Sequence, residues 1–265
     1  MNKIQISNLL RFFRLLFLSD KLRFIFEKFK NRKINKNFKA SFSDIVLPPD
    51  YLIYESFQLN YSKYYTESRE TANWLVNHFK RFTSTDNKKV LDWGCGPGRI
   101  IRHLPDVMGD NCEFYATDYN ERSINWCKMN LPGIQFNCNS LEPHLPYQDN
   151  FFDIIFGISI ITHLSEKLHY DWYHELYRVL KPGGVLLLTS QGKVFKKKLT
   201  VSEQKKFGSG KLVVRGKVKE GHRTYSAFQP EAFMRNLFRN AEILNFIQQK
   251  EEGKYLHQDV WIVRK

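Results

Sequence analysis

Apolar and polar positions fall into two alternating patterns along most of the chain. Val90-Leu91 is a short apolar run after the polar stretch Thr83–Lys89, and it predicts a first strand closed by Asp92. Cys112–Thr117 alternates and predicts a second strand ending at Asp118. Ile134–Cys138 predicts a third, Asp153 starts a fourth that continues over Ile154–Gly157, and Val185–Thr189 is a fully apolar fifth. Helical spacing lies between and around these runs. Thr66 with Glu67 and Glu70 opens a helix carrying Trp74, Leu75, Phe79 and Phe82. Asp118 is a candidate N-cap for a helix over Asn120–Asn130. Ser165 caps another that reaches Leu180, with Trp172, Leu176 and Val179 on its buried side. Lys181-Pro182-Gly183-Gly184 stops it. Gln229-Pro230 then precedes a helix to about Arg239, Ala241–Gln248 is strand-like, and His257–Val263 reads as the last strand. Strands that alternate with helices predict an α/β fold built on a parallel sheet.

Three stretches stand outside this alternation. In residues 2–30, Leu9, Leu10, Phe12, Phe13 and Leu15–Leu18 are interrupted by Arg11 and Arg14. Lys21, Arg23, Lys28 and Lys30 then alternate with Leu22, Phe24, Ile25, Phe26 and Phe29. Charges split the apolar stretch and no small-residue cleavage site follows, so a secretory signal is not expected. Two readings fit: an in-plane membrane helix on an anionic surface, or a helix that covers the domain or a partner subunit. Asn31–Lys39 reads as a basic linker. The tyrosine-rich Tyr51–Tyr65 is expected to pack near the ligand site as a lid or entry segment. Residues 191–224 form an insertion in which Leu212–Val218 is one arm of a hairpin, its lysines either solvating a flap or walling an acceptor pocket.

The chain has 265 residues, enough for one sizeable α/β domain with additions. Its formal net charge of +14 is concentrated in two segments. Residues 1–40 hold 11 Lys/Arg against two acids, and residues 193–219 hold ten against one. The rest is slightly acidic, which predicts anionic partners met at particular places rather than everywhere. Cys95, Cys112, Cys127 and Cys138 form no C-x-x-C pair or zinc-like cluster, so reduced thiols in a cytoplasmic protein are expected. No run reaches the ~18 apolar residues of a membrane span.

The chemistry gathers at Val90–Arg99, V-L-D-W-G-C-G-P-G-R. Gly94, Gly96 and Gly98 sit at every second position, which lets the backbone bend sharply and lets a ligand approach its amides. Pro97 fits a first helical turn, so the helix is expected over Arg99–Leu104. With an acid two residues ahead of G-x-G-x-G, the segment resembles the first motif of class I S-adenosyl-L-methionine (SAM)-dependent methyltransferases. Later segments extend the resemblance in order: L-P-Y-Q-D-N-F-F-D at Leu145–Asp153 and R-V-L-K-P-G-G-V-L-L-L at Arg178–Leu188. Together they cover about residues 60–190.

The resemblance implies a Rossmann-like, seven-stranded, mostly parallel sheet with helices on both faces. On it are added a basic N-terminal extension (1–40) and an insertion after the fifth strand; residues 41–265 would form the methyltransferase domain. SAM is the implied cofactor. Asp92, Gly94, Cys95, Gly96 and Gly98 would hold its amino-acid half, Asp118 its ribose hydroxyls and Tyr119 its adenine ring. Asn139-Ser140-Leu141 stands where such enzymes often carry an Asp for the adenine amino group; that Asp is absent, so Asn139, Ser140 or the backbone would serve. His163, just after the fourth strand, is the candidate general base, with packing in the T-H-L turn as its other role. No catalytic metal is implied. The S-x-x-T-H-L segment, the late insertion and the terminal Q-D-V-W-I-V-R-K resemble bacterial enzymes of cell-surface glycan biosynthesis. That points to O-methylation of a glycan or lipid-linked sugar, by an enzyme in the cytoplasm and peripheral to the membrane. An RNA-modifying enzyme and a non-catalytic SAM-fold subunit are the alternatives; no nucleic-acid-binding module is recognised.

Overall fold

The computed structural model describes residues 16–109, 111–251 and 256–265. The part of the basic extension before residue 16 lies outside them. The strands of the main sheet, β1 (Lys89–Trp93), β2 (Glu113–Asp118), β3 (Ile134–Cys138), β4 (Phe152–Gly157), β5 (Leu180–Ser190), β8 (Glu242–Ile247) and β9 (Asp259–Arg264), lie in the order β3-β2-β1-β4-β5-β9-β8, the Rossmann-like arrangement with helices on both faces. The described residues fall into two compact units, Phe17–Asn139 and Ser140–Lys265.

The first unit begins with α1 (Leu16–Lys30) and α2 (Arg32–Ser41), followed by α3 (Asp50–Phe57). The expected linker over Asn31–Lys39 is therefore helix. Its buried positions are Asn35 and Phe38, so no apolar stripe announced it: Asn35 Nδ2 donates to the Leu59 carbonyl (2.9 Å) and its Oδ1 accepts from the Tyr61 amide (3.0 Å). A π-turn at Lys63–Glu67 leads into α4 (Ser68–Phe79), whose Ala72, Leu75, Val76 and Phe79 are buried. Strands β1 (Lys89–Trp93), β2 (Glu113–Asp118) and β3 (Ile134–Cys138) pair in parallel, with Asp92 opposite Ala116 and Asp118 opposite Cys138. The expected helix at Arg99–Leu104 forms later. Turns run to Ile100, a 3-10 turn covers Ile101–His103, and α5 is Leu104–Met108 with Pro105 in its first turn. Pro97 lies in the glycine turn itself. Helix α6 (Glu121–Asn130) is capped by Asn120, whose Oδ1 accepts from the Arg122 and Ser123 amides, and not by Asp118.

The second unit is built on β4 (Phe152–Gly157) and β5 (Leu180–Ser190), which are parallel. β5 also pairs antiparallel with β9 (Asp259–Arg264), which pairs antiparallel with β8 (Glu242–Ile247). Ile154, Ile155, Phe156 and Val185–Leu187 are fully buried, as expected of strands covered on both faces. Helix α7 (Glu166–Val179) is capped by the Ser165 hydroxyl and buries His169, Trp172, Tyr173, Leu176 and Val179 at helical spacing.

The expected insertion over residues 191–224 folds together with the segment that follows it: a 3-10 turn at Lys193–Lys198 and α8 (Val201–Gly208), with a Thr200/Glu203 capping box, lead to β6 (Val213–Arg215), which pairs in a hairpin with β7 (Ser226–Phe228). Val194, Phe195, Leu199, Phe207, Val213 and Phe228 form a small core there. A short helix, α9 (Glu231–Leu237), precedes β8.

Candidate functional site

The glycine turn at the carboxyl end of β1 has Gly94, Gly96 and Gly98 at φ +79°, +54° and +72°. All three occupy the left-handed region, which is why glycine recurs at alternate positions. At Gly98 a side chain is also excluded by space. A Cβ there would lie 2.6 Å from Leu131 Cδ1 and 3.1 Å from Cys127 Sγ. The turn is tied to β2, since the Gly94 and Cys95 amides both donate to the Thr117 carbonyl (2.8 and 3.0 Å).

Asp118 ends β2 with its carboxylate fixed from two sides. Oδ2 accepts from the Gly96 amide (2.8 Å) and Oδ1 from the Asn120 amide (2.7 Å). Each oxygen keeps a further lone pair, so the group remains able to accept a vicinal diol. Burial raises its pKa, and the two amides pull the other way. Asp92 is buried on β1. Burial pushes its carboxyl up to about 8; the Arg99 guanidinium lowers it, the negative charge of Asp118 raises it, and the Ile101 amide lowers it. The thiol of Cys95 is buried and raised well above its ordinary value, which makes it a packing group. Tyr119 is half-buried, with its hydroxyl pushed up to about 12 by burial and then by Asp118 and Glu55. Asn139 Oδ1 accepts from the Thr117 hydroxyl (2.6 Å), and its amide donates to the Asp118 carbonyl (3.1 Å).

Three residues that the sequence did not single out, Tyr64, Arg102 and Glu55, lie around this unit's candidate site. Tyr64, fully buried in the π-turn, donates its hydroxyl to the Pro97 carbonyl (2.7 Å) and so pins the glycine turn. Arg102 donates to the same hydroxyl (3.2 Å). Glu55 on α3 accepts from Asn120 Nδ2 (3.2 Å), and its pKa is raised by burial and by the Asp118 charge. The tyrosine-rich segment thus meets the glycine turn and the end of β2. The abundance of tyrosine around 51–65 was the signal; which tyrosine mattered was not legible.

The second unit holds the other predicted residues. Ser140 is exposed, its hydroxyl donating to the Glu142 carbonyl (3.1 Å), and the Leu141 carbonyl accepts from Trp172 Nε1 (3.1 Å). His163 ends a 3-10 turn, Ile161–His163, that follows β4. Its Nδ1 lies 2.8 Å from the Tyr225 carbonyl. A carbonyl only accepts, so Nδ1 carries the proton and Nε2 carries the lone pair. Burial lowers its pKa, the Tyr225 bond opposes this, and His222 adds to the lowering. The segment over residues 220–225 holds the whole turn: the Gly221 amide donates to the His163 carbonyl (2.9 Å), and the Ser165 amide donates to Glu220.

Before His163, Ser159 adopts φ +67°. A closed ring of hydrogen bonds keeps it there. The Ser159 amide donates to Thr189 Oγ1 (2.7 Å), Thr189 Oγ1 to Gln258 Oε1 (2.6 Å) and Gln258 Nε2 to Ser159 Oγ (2.7 Å). A non-glycine residue in this region is strained and is tolerated where its surroundings over-determine it. Among the described residues no cluster of metal-ligating side chains occurs.

Comparison with known proteins agrees with this geometry. Residues 90–184 match the family model for a methyltransferase domain. The sterol 24-C-methyltransferase erg6 of Schizosaccharomyces pombe is 35% identical over 102 residues, which are 37% of this chain and 26% of that protein. The ubiquinone/menaquinone biosynthesis C-methyltransferase UbiE of Pectobacterium atrosepticum is 32% identical over 135 residues, 46% of this chain and 52% of that one. The chain thus spans between about a quarter and a half of the length of these relatives. A SAM-dependent methyltransferase structure from Methanosarcina mazei superposes with a TM-score of 0.54 at 20% identity, covering 71% of this chain and 96% of that one. Strand order, glycine turn and family match together give this chain the class I SAM-dependent methyltransferase fold.

Proposed function

We propose that the protein transfers a methyl group from SAM to a hydroxyl of a glycan or lipid-linked sugar, with His163 as general base. The observation that carries this reading is the fixed tautomer of His163. SAM supplies an electrophilic methyl group on a positively charged sulfur. Asp118 and the glycine turn fit it, because a carboxylate with two oriented oxygens suits a ribose diol and a turn without Cβ atoms lets a ligand approach backbone amides closely. Asp92, Gly94, Cys95, Gly96 and Gly98 hold the amino-acid half, while Tyr119 and Asn139-Ser140-Leu141 serve the adenine. Nε2 of His163, neutral at physiological pH because its pKa is lowered, takes the acceptor hydroxyl proton as the oxygen attacks.

In this reading residues 41–265 form the methyltransferase domain, residues 191–224 are an insertion that positions the His163 turn, and residues 1–40 are an extension. The enzyme works in the cytoplasm, at the inner face of a membrane where lipid-linked sugars are assembled. The insertion does less for an RNA reading than its lysine count suggests. Arg215 is paired with Glu203 (2.6 Å) and Lys197 with Glu251 (3.0 Å).

The test is His163→Ala. SAM affinity should stay within twofold, while turnover falls about 10²–10⁴-fold. Near-normal turnover would remove His163 as the base. Labelled SAM supplied to fractionated cell material tests the acceptor: label in a lipid-linked glycan pool supports it, and label confined to RNA overturns it.

A further inference from the structure

The amphipathicity of α1 is inverted. Its inner side is largely polar. Asp20 Oδ1 accepts from the Tyr54 hydroxyl (2.9 Å), Glu27 accepts from Asn31 Nδ2 (3.1 Å), and Asn31 Nδ2 also reaches the Gln58 carbonyl (3.1 Å). Phe24 packs edge-on against Tyr51 and Tyr54. The outer side is apolar: Leu18, Leu22, Ile25, Phe26 and Phe29 are 57, 61, 50, 62 and 72% exposed. At 3.6 residues per turn these five fill an arc of about 100°. Lys21 and Lys28 border one edge of that arc, and Arg23 and Lys30 the other; all four are exposed.

Both acids of α1 are engaged on the inner side, Asp20 by Tyr54 and Glu27 by Asn31 and Lys30. Lys28 pairs with Asp50 of α3 (3.1 Å). α2 continues the basic character with exposed Arg32, Lys33, Lys36 and Lys39. The outward surface of α1 therefore carries apolar side chains and cations, with no carboxylate among them. Among the described residues no helix is long and apolar enough to cross a membrane.

We propose that this face docks on an anionic phospholipid bilayer. The five apolar side chains enter the boundary between headgroups and acyl chains, and the flanking cations lie on lipid phosphates. Charge complementarity selects lipid. Cations on both edges of a narrow apolar stripe match a plane of phosphates over hydrocarbon, and their aliphatic stems extend the apolar surface while the charges stay in water. This surface stands apart from the methyl-transfer reading, because it involves no residue assigned to SAM or to the acceptor.

The full chain is sedimented with phosphatidylcholine vesicles, with and without phosphatidylglycerol. Wild type should partition onto the anionic vesicles. Phe26→Ser/Phe29→Ser should lower that partition tenfold or more, from the lost burial of two aromatic side chains. Lys33→Gln/Lys36→Gln should lower it about fivefold per charge, on anionic vesicles alone. All four positions are exposed, so unchanged melting and SAM affinity confirm folded variants. Absence of wild-type binding, or equal partition by wild type and the phenylalanine variant, overturns the proposal. So does a dimer that the phenylalanine substitutions dissociate while no vesicles are bound, which would assign the face to a second copy of the chain.

Discussion

Asp118→Asn separates the structural task of this carboxylate, which the hydrogen bonds show, from its proposed one of holding the ribose of SAM. Asp118 accepts from two backbone amides on opposite oxygens, Gly96 at 2.8 Å and Asn120 at 2.7 Å. An asparagine there can turn its oxygen to only one of them. Its NH₂ then faces the other amide, donor against donor, in a buried place. One unsatisfied buried donor costs about 1–3 kcal/mol, which for a chain of this size lowers the melting temperature of the free protein by roughly 2–12 °C. The ribose diol meanwhile loses a charged acceptor, and SAM affinity falls by about 1–3 kcal/mol, or about 5–150-fold. Thermal unfolding without ligand reads the first effect; calorimetric titration with SAM reads the second. Affinity within twofold of wild type would refute the ribose assignment even if the protein melts earlier. An unchanged melting temperature would refute the claim that this carboxylate fixes the glycine turn.

Other outcomes follow from the same geometry. Gly98→Ala places a side chain at φ +72° and 2.6 Å from Leu131 Cδ1, so stability should fall by about 1–3 kcal/mol in denaturant titrations, and an unperturbed midpoint would contradict the packing. His169 is fully buried, with Nδ1 2.7 Å from the Ser165 carbonyl and Nε2 3.0 Å from Gln229 Nε2; burial lowers its pKa from 6.5 to about 4, against the Ser165 bond. The unfolded chain takes up this proton first, so the stabilisation is complete above pH 6.5 and is lost as pH falls from 6.5 towards 4, about 3 kcal/mol in all. His103 is lowered to about 4 as well, so the comparison is with His169→Gln, which should lose only its own share of the acid sensitivity; equal pH slopes would refute the assignment. If Nε2 of His163 is the base, turnover should decline only below about pH 6.5, because burial places its pKa under the ordinary value, and a decline centred well above that would point to another group.

What could be read in the sequence was what depends on neighbours in the chain. Strands β1, β4 and β5 showed themselves because the apolar runs that bury a strand on both faces are contiguous, and β2 and β3 because their apolar positions alternate. The glycine turn was legible because left-handed φ at three alternate residues leaves glycine as the low-cost choice, and the acids at the ends of β1 and β2 stand at fixed offsets from it. α2 was missed because its buried side carries Asn35 and a buried asparagine, Asn31, stands at its N-cap; both reach backbone carbonyls, of Leu59 and Gln58, more than twenty residues away. A helix that buries polar groups has no apolar stripe to find.

The sequence by itself determined the α/β alternation, the glycine turn, the positions of Asp92 and Asp118, and the two basic segments. Tertiary structure decided which atoms those groups can use. Asp118 became an oriented acceptor only when the Gly96 and Asn120 amides closed on it. His163 gained a defined tautomer only through Tyr225, 62 residues later. The apolar residues of α1 were visible in the sequence as a run interrupted by cations, but only the fold gathered five of them on an outward stripe, because the polar inner side found its hydrogen-bond partners in the segment around Tyr54–Gln58. Local pattern fixes which conformations the backbone favours. The protonation, orientation and exposure of a side chain depend on groups that only folding brings beside it.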